Sequence, residues 1–419
     1  MHPNALVEHA TELLHRVLRF DAPADGVLSD YFRRQRQLGP RERHTLAEIV
    51  YAVLRRRLLL QHLAQSGQGE IERRLALLAW PGNAAYLRAA LSPQEVQWLE
   101  QVERVDTAAL PPRLRHNLPD WLADRLQDQL GDDFWPLVAA LGQPAPLDLR
   151  VNIAKASREA VLAALTQQGI AAQATSHSPI GLRVQGKPAL HKVDVFLRGE
   201  VEVQDEGSQL IALAVGARRG EMVADFCAGG GGKTLAIGAA MRNTGRLYAF
   251  DISGHRLAGL RPRLARSGLS NVYPVQIAHE RDDRIKRLAG KIDRVLVDAP
   301  CSGLGTLRRS PDLKWRQTPE TVARFAVDQA AILAGAARLV KAGGRLVYAT
   351  CSLLREENEA IAEAFSAGQA GKFRPLPVAE ALRRAQVDAV EALVAGPYLR
   401  LWPHRHGSDA FFAAAWERI

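Results

Sequence analysis

The chain has 419 residues, 47% of them hydrophobic, and a formal net charge of +10. That length predicts two or three domains with a sizeable core, and the basic balance suits an acidic partner such as nucleic acid. No apolar run can span a bilayer, the start is amphipathic rather than signal-like, and Cys227, Cys301 and Cys351 fit neither a disulfide framework nor a zinc site, so a cytoplasmic protein with no membrane and no metal is expected.

Residues 1–143 predict an all-α domain. Leu6, Ala10, Leu13, Leu14, Val17 and Leu18 fall on one helical face. A second helix is expected from about 41 to 63, with Leu46, Ile49, Val50, Val53 and Leu54 as its apolar stripe. Ser92-Pro93-Gln94-Glu95 reads as a capping box with proline at the first helical position. Arg33, Arg34, Arg36, Arg41, Arg43, Arg55, Arg56 and Arg57 form either a solvated helix face or a surface for RNA phosphates. A further helical stretch runs from 119 to about 141, and Pro144-Ala145-Pro146 reads as a linker.

The texture changes near Leu149. Short strands at 149–152, 181–184 and 201–204, with a helix over 157–168, predict a small α/β subdomain spanning 147–205. Over 206–419, strand and helix signals alternate, which predicts an α/β domain with a parallel, Rossmann-like sheet. Strands are expected at 222–226, 246–251, 272–277, 294–298 and 345–350, with helices beginning near Gly232, Ser253 and Thr318. The last of these helices is expected to end at Gly343-Gly344, and strands near 398–402 and 411–416 close the chain.

Asp225-Phe226-Cys227-Ala228-Gly229-Gly230-Gly231-Gly232-Lys233-Thr234 reads as a strand end, a glycine loop and a helix start. Glycines let backbone approach a ligand, and a helix N-terminus favours an anionic group. A Walker A loop would need glycine where Cys227 stands, which argues against an ATPase. The next strand ends in Asp251, an acid suited to the hydroxyls of a ribose. A nucleoside cofactor is expected, with dinucleotides and S-adenosylmethionine (SAM) both open.

Two later strands end alike, in Asp298-Ala299-Pro300-Cys301-Ser302 and in Ala349-Thr350-Cys351-Ser352. As neighbours they would bring both thiols to one crevice. A thiolate beside a methyl donor suits carbon 5 of a pyrimidine. Attack at C6 makes C5 nucleophilic, and loss of the C5 proton and of the thiol completes the exchange. Asp298, protonated in a dry site, could donate to N3 of cytosine. Chemistry alone leaves open which thiol attacks. Cys227 also reads as a small buried hydrophobe.

The motifs D-x-C-A-x-x-G-G-K-T, D-A-P-C-S-G and A-T-C-S-x-x-x-E-E-N resemble those of the Nol/Nop/Sun family of RNA cytosine-5 methyltransferases. Arg308-Arg309-x-Pro311-Asp312-Leu313-Lys314-Trp315 and the tail Asp409-Ala410-Phe411-Phe412 extend the resemblance, which runs from about 149 to the C-terminus. The helical first part resembles a NusB-like RNA-binding domain. The resemblance implies a class I SAM-dependent methyltransferase acting on small-subunit ribosomal RNA. It implies that Asp225, Cys227, Ala228, Gly229, Gly230, Gly231, Gly232, Lys233, Asp251 and Asp298 hold SAM. It makes Cys351 the nucleophile, Cys301 the thiol that assists release, and Asp298 the acid that orients the base. The target cytidine must then be single-stranded or flipped out. Two departures stand out: Gly229-Gly230 replace the family's usual Ala-Pro, and Ala278 stands where an acid near the adenine is usual, with Glu280 as nearest substitute. They leave room for a rival expectation, a non-catalytic RNA-binding assembly factor that keeps the fold. A DNA methyltransferase, whose Pro-Cys thiol would favour Cys301, is a third.

Overall fold

The computed structural model describes residues 1–419, which form two compact units. One comprises Met1–Pro144 together with Leu307–Thr318; the other comprises Ala145–Thr306 and Pro319–Ile419. The segment carrying Arg308 to Trp315 therefore packs with the helical unit, although in sequence it lies between two stretches of the other unit.

The first unit is helical. Leu6, Ala10, Leu13 and Leu14 of helix Pro3–Val17 pack on Leu46, Ile49, Val50 and Val53 of helix Pro40–Arg55. The single helix expected over 41–63 is broken: Pro40–Arg55 and Arg57–Ala64 meet at Arg56, whose φ of −118° and ψ of 28° are not helical. A break leaves amides to be satisfied from outside, and Asn117 Oδ1 accepts from Leu59 N at 3.1 Å. The capping box forms as expected, with Ser92 Oγ accepting from Glu95 N (3.2 Å) and Glu95 Oε2 accepting from Ser92 N (2.8 Å).

Residues 307–318 are fastened into this unit by buried polar contacts. Asp312 accepts from Ala24 N (3.2 Å), Lys314 Nζ donates to Arg55 O (2.9 Å) and Trp315 Nε1 donates to Leu54 O (2.8 Å). The arginine cluster is consequently not one solvated face. Arg33, Arg34, Arg36, Arg41 and Arg56 are exposed, but Arg55 donates to Arg308 O (3.2 Å) and Arg57 lies 4.8 Å from the Phe20 ring and 5.1 Å from the Trp315 ring. Long side chains cover apolar surface with their stems, and burial lowers the pKa of both packed arginines.

In the second unit, strands β1 (Leu147–Val151), β2 (Ala172–Ala174), β3 (Gly181–Val184) and β4 (Val201–Val203) form an antiparallel sheet in the order β2-β3-β1-β4. Leu149, Val151, Leu182 and Val201 cover Val161 and Leu165 of helix Arg158–Gln167.

The larger sheet contains β5 (Met222–Asp225), β6 (Arg246–Asp251), β7 (Val272–Gln276), β8 (Ile292–Asp298), β9 (Val340–Thr350), β10 (Phe373–Leu376), β11 (Val394–Ala395), β12 (Tyr398–Leu401) and β13 (Phe411–Arg418). Its order is β11-β12-β13-β9-β8-β5-β6-β7, with β10 on β13. Strands β9, β8, β5, β6 and β7 are parallel, and β13 runs against β9. The chain builds outward from β5 through β6 to β7, then returns to the other side of β5. Order thus reverses between β5 and β8, and the crevice at the carboxyl ends of these strands is where open α/β sheets bind ligands.

One expected boundary is corrected. The helix after Thr318 ends at Ala337, and β9 already begins at Val340. Gly343-Gly344 do not cap the helix; they bend the strand. Gly343 has φ +70°, and a Cβ on Gly344 would lie 2.8 Å from Lys341 O. Both positions need glycine for the backbone they adopt.

Candidate active site

At β5, Asp225 is buried and accepts from Thr234 Oγ1 at 2.7 Å. Burial, only partly offset by that hydrogen bond, pushes its carboxyl up to about 7. The loop that follows turns through Gly229 (φ +53°) and Gly231 (φ +80°) into helix Gly232–Ala240. A Cβ on Gly231 would collide with Leu260, whereas Gly229 has open space around it. Ala228 N donates to Phe250 O (2.8 Å), which ties the loop to β6. Arg263 donates to Gly230 O (2.5 Å) and pairs with Glu202. Cys227 packs among core side chains, and burial drives its thiol well above the ordinary range.

Asp251 ends β6 with both carboxylate oxygens engaged, Oδ2 by Gly229 N (2.8 Å) and Oδ1 by Ser253 N (2.7 Å). Each oxygen keeps a second lone pair for a ligand hydroxyl. Open glycine backbone, a helix N-terminus and an acid on the neighbouring strand fit a nucleoside derivative that carries an anionic group such as a carboxylate. Ala278 N is bonded by Asp282 Oδ2 (2.9 Å), so Asp282 closes this turn. Glu280 pairs with Arg281 and lies against Gly335 of helix Pro319–Ala337.

Lys233 and Asp298 bridge the cofactor loop and the thiols. Lys233 Nζ lies 2.7 Å from Asp298 Oδ2 and 5.4 Å from the centre of the Phe411 ring. Burial works to lower the lysine pKa, but the Asp298 carboxylate overrides it and holds the ammonium above its ordinary value. Asp298 is therefore met by a cation. Sequence alone casts Asp298 as a donor to the base and does not foresee this lysine contact.

Strands β8 and β9 are adjacent, with Asp298 opposite Ala349. Cys301 Sγ and Cys351 Sγ lie 3.4 Å apart. The Cys351 contact, then burial, raises the Cys301 thiol well above its usual pKa. Behind the sulfurs sits a residue that sequence reasoning quoted only as part of a motif. Glu357 is fully buried and accepts from Ser302 N (2.8 Å), Ser302 Oγ (2.5 Å), Gln329 Nε2 (3.1 Å) and the Ser352 hydroxyl. Asn358 accepts from the Thr350 hydroxyl and donates to Ser352 O (3.0 Å). Arg400 donates to Ser352 O (3.3 Å) and Leu353 O (2.8 Å). The one signal in the sequence was the repeated Cys-Ser at two strand ends.

A crevice holding a nucleoside-type loop, an ion pair and two touching thiols can support nucleophilic catalysis on a bound base. Comparison with known proteins identifies the family. Residues 212–417 match the family model described as 16S rRNA methyltransferase RsmB/F, and residues 118–191 match the ferredoxin-like domain of RsmF/B-like methyltransferases. The chain is 37% identical over 302 residues to the probable ribosomal RNA small subunit methyltransferase B of Synechocystis, covering 72% of this chain and 66% of that protein. It is 35% identical over 321 residues to the ribosomal RNA small subunit methyltransferase B of Sodalis glossinidius, covering 77% of this chain and 69% of the relative. It thus spans about two thirds of the relatives it matches. The crystal structure of PH0851 shares the fold, with a TM-score of 0.78 at 24% identity, covering 100% of this chain and 99% of the other. With a sheet, loop and motifs of this kind, the chain belongs to the RsmB/F family of ribosomal RNA methyltransferases.

Proposed function

We propose that the protein transfers a methyl group from SAM to C5 of a cytidine in small-subunit ribosomal RNA through a covalent Cys351–C6 adduct. The 3.4 Å approach of Cys301 and Cys351, beside the Lys233–Asp298 pair, carries this reading. In it, residues 1–143 are a NusB-like RNA-binding domain, 147–205 a small subdomain and 206–419 the catalytic domain. SAM would be held by Asp225, residues 227–233, Asp251 and Asp298, and would supply the electrophilic methyl group.

Cys351 loses its proton to solvent and forms the S–C6 bond, while the C5–C6 π pair shifts to C5 and is delocalised toward N3. The Lys233 ammonium, steadied by Asp298, offsets the charge that develops there. Once that π pair has become the bond from C5 to the methyl group, loss of the C5 proton leaves the C5–H pair as the new C5–C6 double bond, and the C6–S pair departs on the Cys351 sulfur. Cys301, next to the departing sulfur, assists that release. The exposed arginines of the helical unit would meet RNA phosphates.

Incubation with methyl-labelled SAM and undermethylated small-subunit RNA tests this reading. Label at C5 of one cytidine is expected, with none from Cys351→Ala. Folded protein that binds RNA and transfers nothing would favour an assembly factor instead.

A further inference from the structure

We propose that Glu357 is a positioning residue that sets the separation of the two thiols and thereby the release step. This deepens, and rests on, the thiol roles proposed above.

Each cysteine ends a parallel strand, and each is followed by a serine. Strand pairing fixes β8 and β9 only as far as Asp298 and Ala349. Beyond that point Thr350 is still paired with Phe412 of β13, but Cys301 and Cys351 lie past the ends of β8 and β9, so the thiols need another constraint. Glu357 supplies it. One carboxylate oxygen, Oε2, accepts the hydroxyls of both Ser302 and Ser352, and Oε1 accepts Ser302 N and Gln329 Nε2. Gln329 Nε2 also reaches Pro300 O at 3.0 Å, the carbonyl just before Cys301. The same glutamate is anchored through its own carbonyl, which accepts from Tyr348 OH at 2.6 Å. From the other side, Gly305 N donates to Cys351 O (2.8 Å), and a Cβ on Gly305 would sit 2.6 Å from that oxygen.

Glu357 touches neither sulfur. It holds the Ser302 amide and hydroxyl that follow one sulfur and the Ser352 hydroxyl that follows the other, so its loss lets one strand end slide against the other. Misplacement by an ångström costs reacting groups on the order of 10²-fold in rate. The step most exposed is release, in which Cys301 must act while Cys351 is committed to C6.

The test uses the full-length Glu357→Gln protein, with Ser352→Ala as a milder variant should the first fail to fold. One readout needs neither RNA nor SAM. Diamide takes two electrons and two protons from the thiols, forming the Cys301–Cys351 disulfide while the azo compound becomes a hydrazine. Disulfide formation should be at least about tenfold slower in Glu357→Gln than in wild type. The second readout is the fraction of RNA held as covalent adduct during turnover, which should rise in both Glu357→Gln and Cys301→Ala. A residue serving stability alone would lower Tm and change neither. Wild-type values for both, with Cys301→Ala trapping adduct, would overturn the inference and leave the thiol roles standing. If Cys301→Ala traps no adduct, the thiol roles fall, and the disulfide rate alone decides for or against Glu357.

Discussion

Gly229, in the cofactor loop, has open space around it, whereas Gly305, beside the thiols, is walled in by the carbonyls of Ala410 and Cys351. The loop is shaped by backbone: two glycines at positive φ, one carboxylate gathering two amides, and one arginine on a carbonyl. The thiol end is shaped by buried side chains, with Glu357, Asn358 and Gln329 leaving little slack. A cofactor that must enter and leave suits the first construction. On the proposed mechanism, two sulfurs acting in sequence on one base suit the second, since pre-organised groups need no reorganisation during reaction.

Breaking the link between the two ends should have the largest effect. Lys233→Met removes the cation that pairs with Asp298, and methyl transfer should fall about 10²–10³-fold in a chain that remains folded by circular dichroism. Next comes the loop itself. Gly231→Ala forces a side chain onto Leu260 at φ +80° and should cost about 2–4 kcal/mol in denaturant unfolding.

A smaller effect separates the loop from the thiols by pH. Asp225 is raised from 3.8 to about 7. Between those values the folded state holds a proton that the unfolded state has lost, so stability falls as pH rises through that window. Asp225→Asn should flatten this part of the unfolding profile. The smallest change is at Gly230, which is exposed and where a Cβ would lie 3.4 Å from Arg263. Gly230→Ala should raise stability by about 0.4–1 kcal/mol by restricting the unfolded chain, measurable as a higher Tm.

The sequence showed most of the loop end because its determinants are local. A strand end, glycines and a helix start lie within residues 225–234, and Asp251 follows one strand later. The thiol end was legible only in outline. That Cys301 and Cys351 meet depends on β8 and β9 being neighbours, which no local pattern states. Glu357 could be quoted but not placed, because its partners come from three separated stretches. The helical unit hid two features for the same reason. Arg56 breaks a periodic helix whose freed amide finds Asn117, far along the chain. Residues 307–318 leave the sheet for a core built from the first eighty residues, and nothing in their own composition announces it.

The most direct measurement of the central claim is the identity of the cysteine that carries RNA. A 5-fluorocytidine-substituted small-subunit RNA, incubated with SAM, lacks the C5 proton needed for release and should hold the adduct for peptide mapping. The account predicts RNA on Cys351 and none on Cys301. RNA attached to Cys301 would contradict it, reversing the two thiols and removing the ground for the release role assigned to the Cys301 strand end.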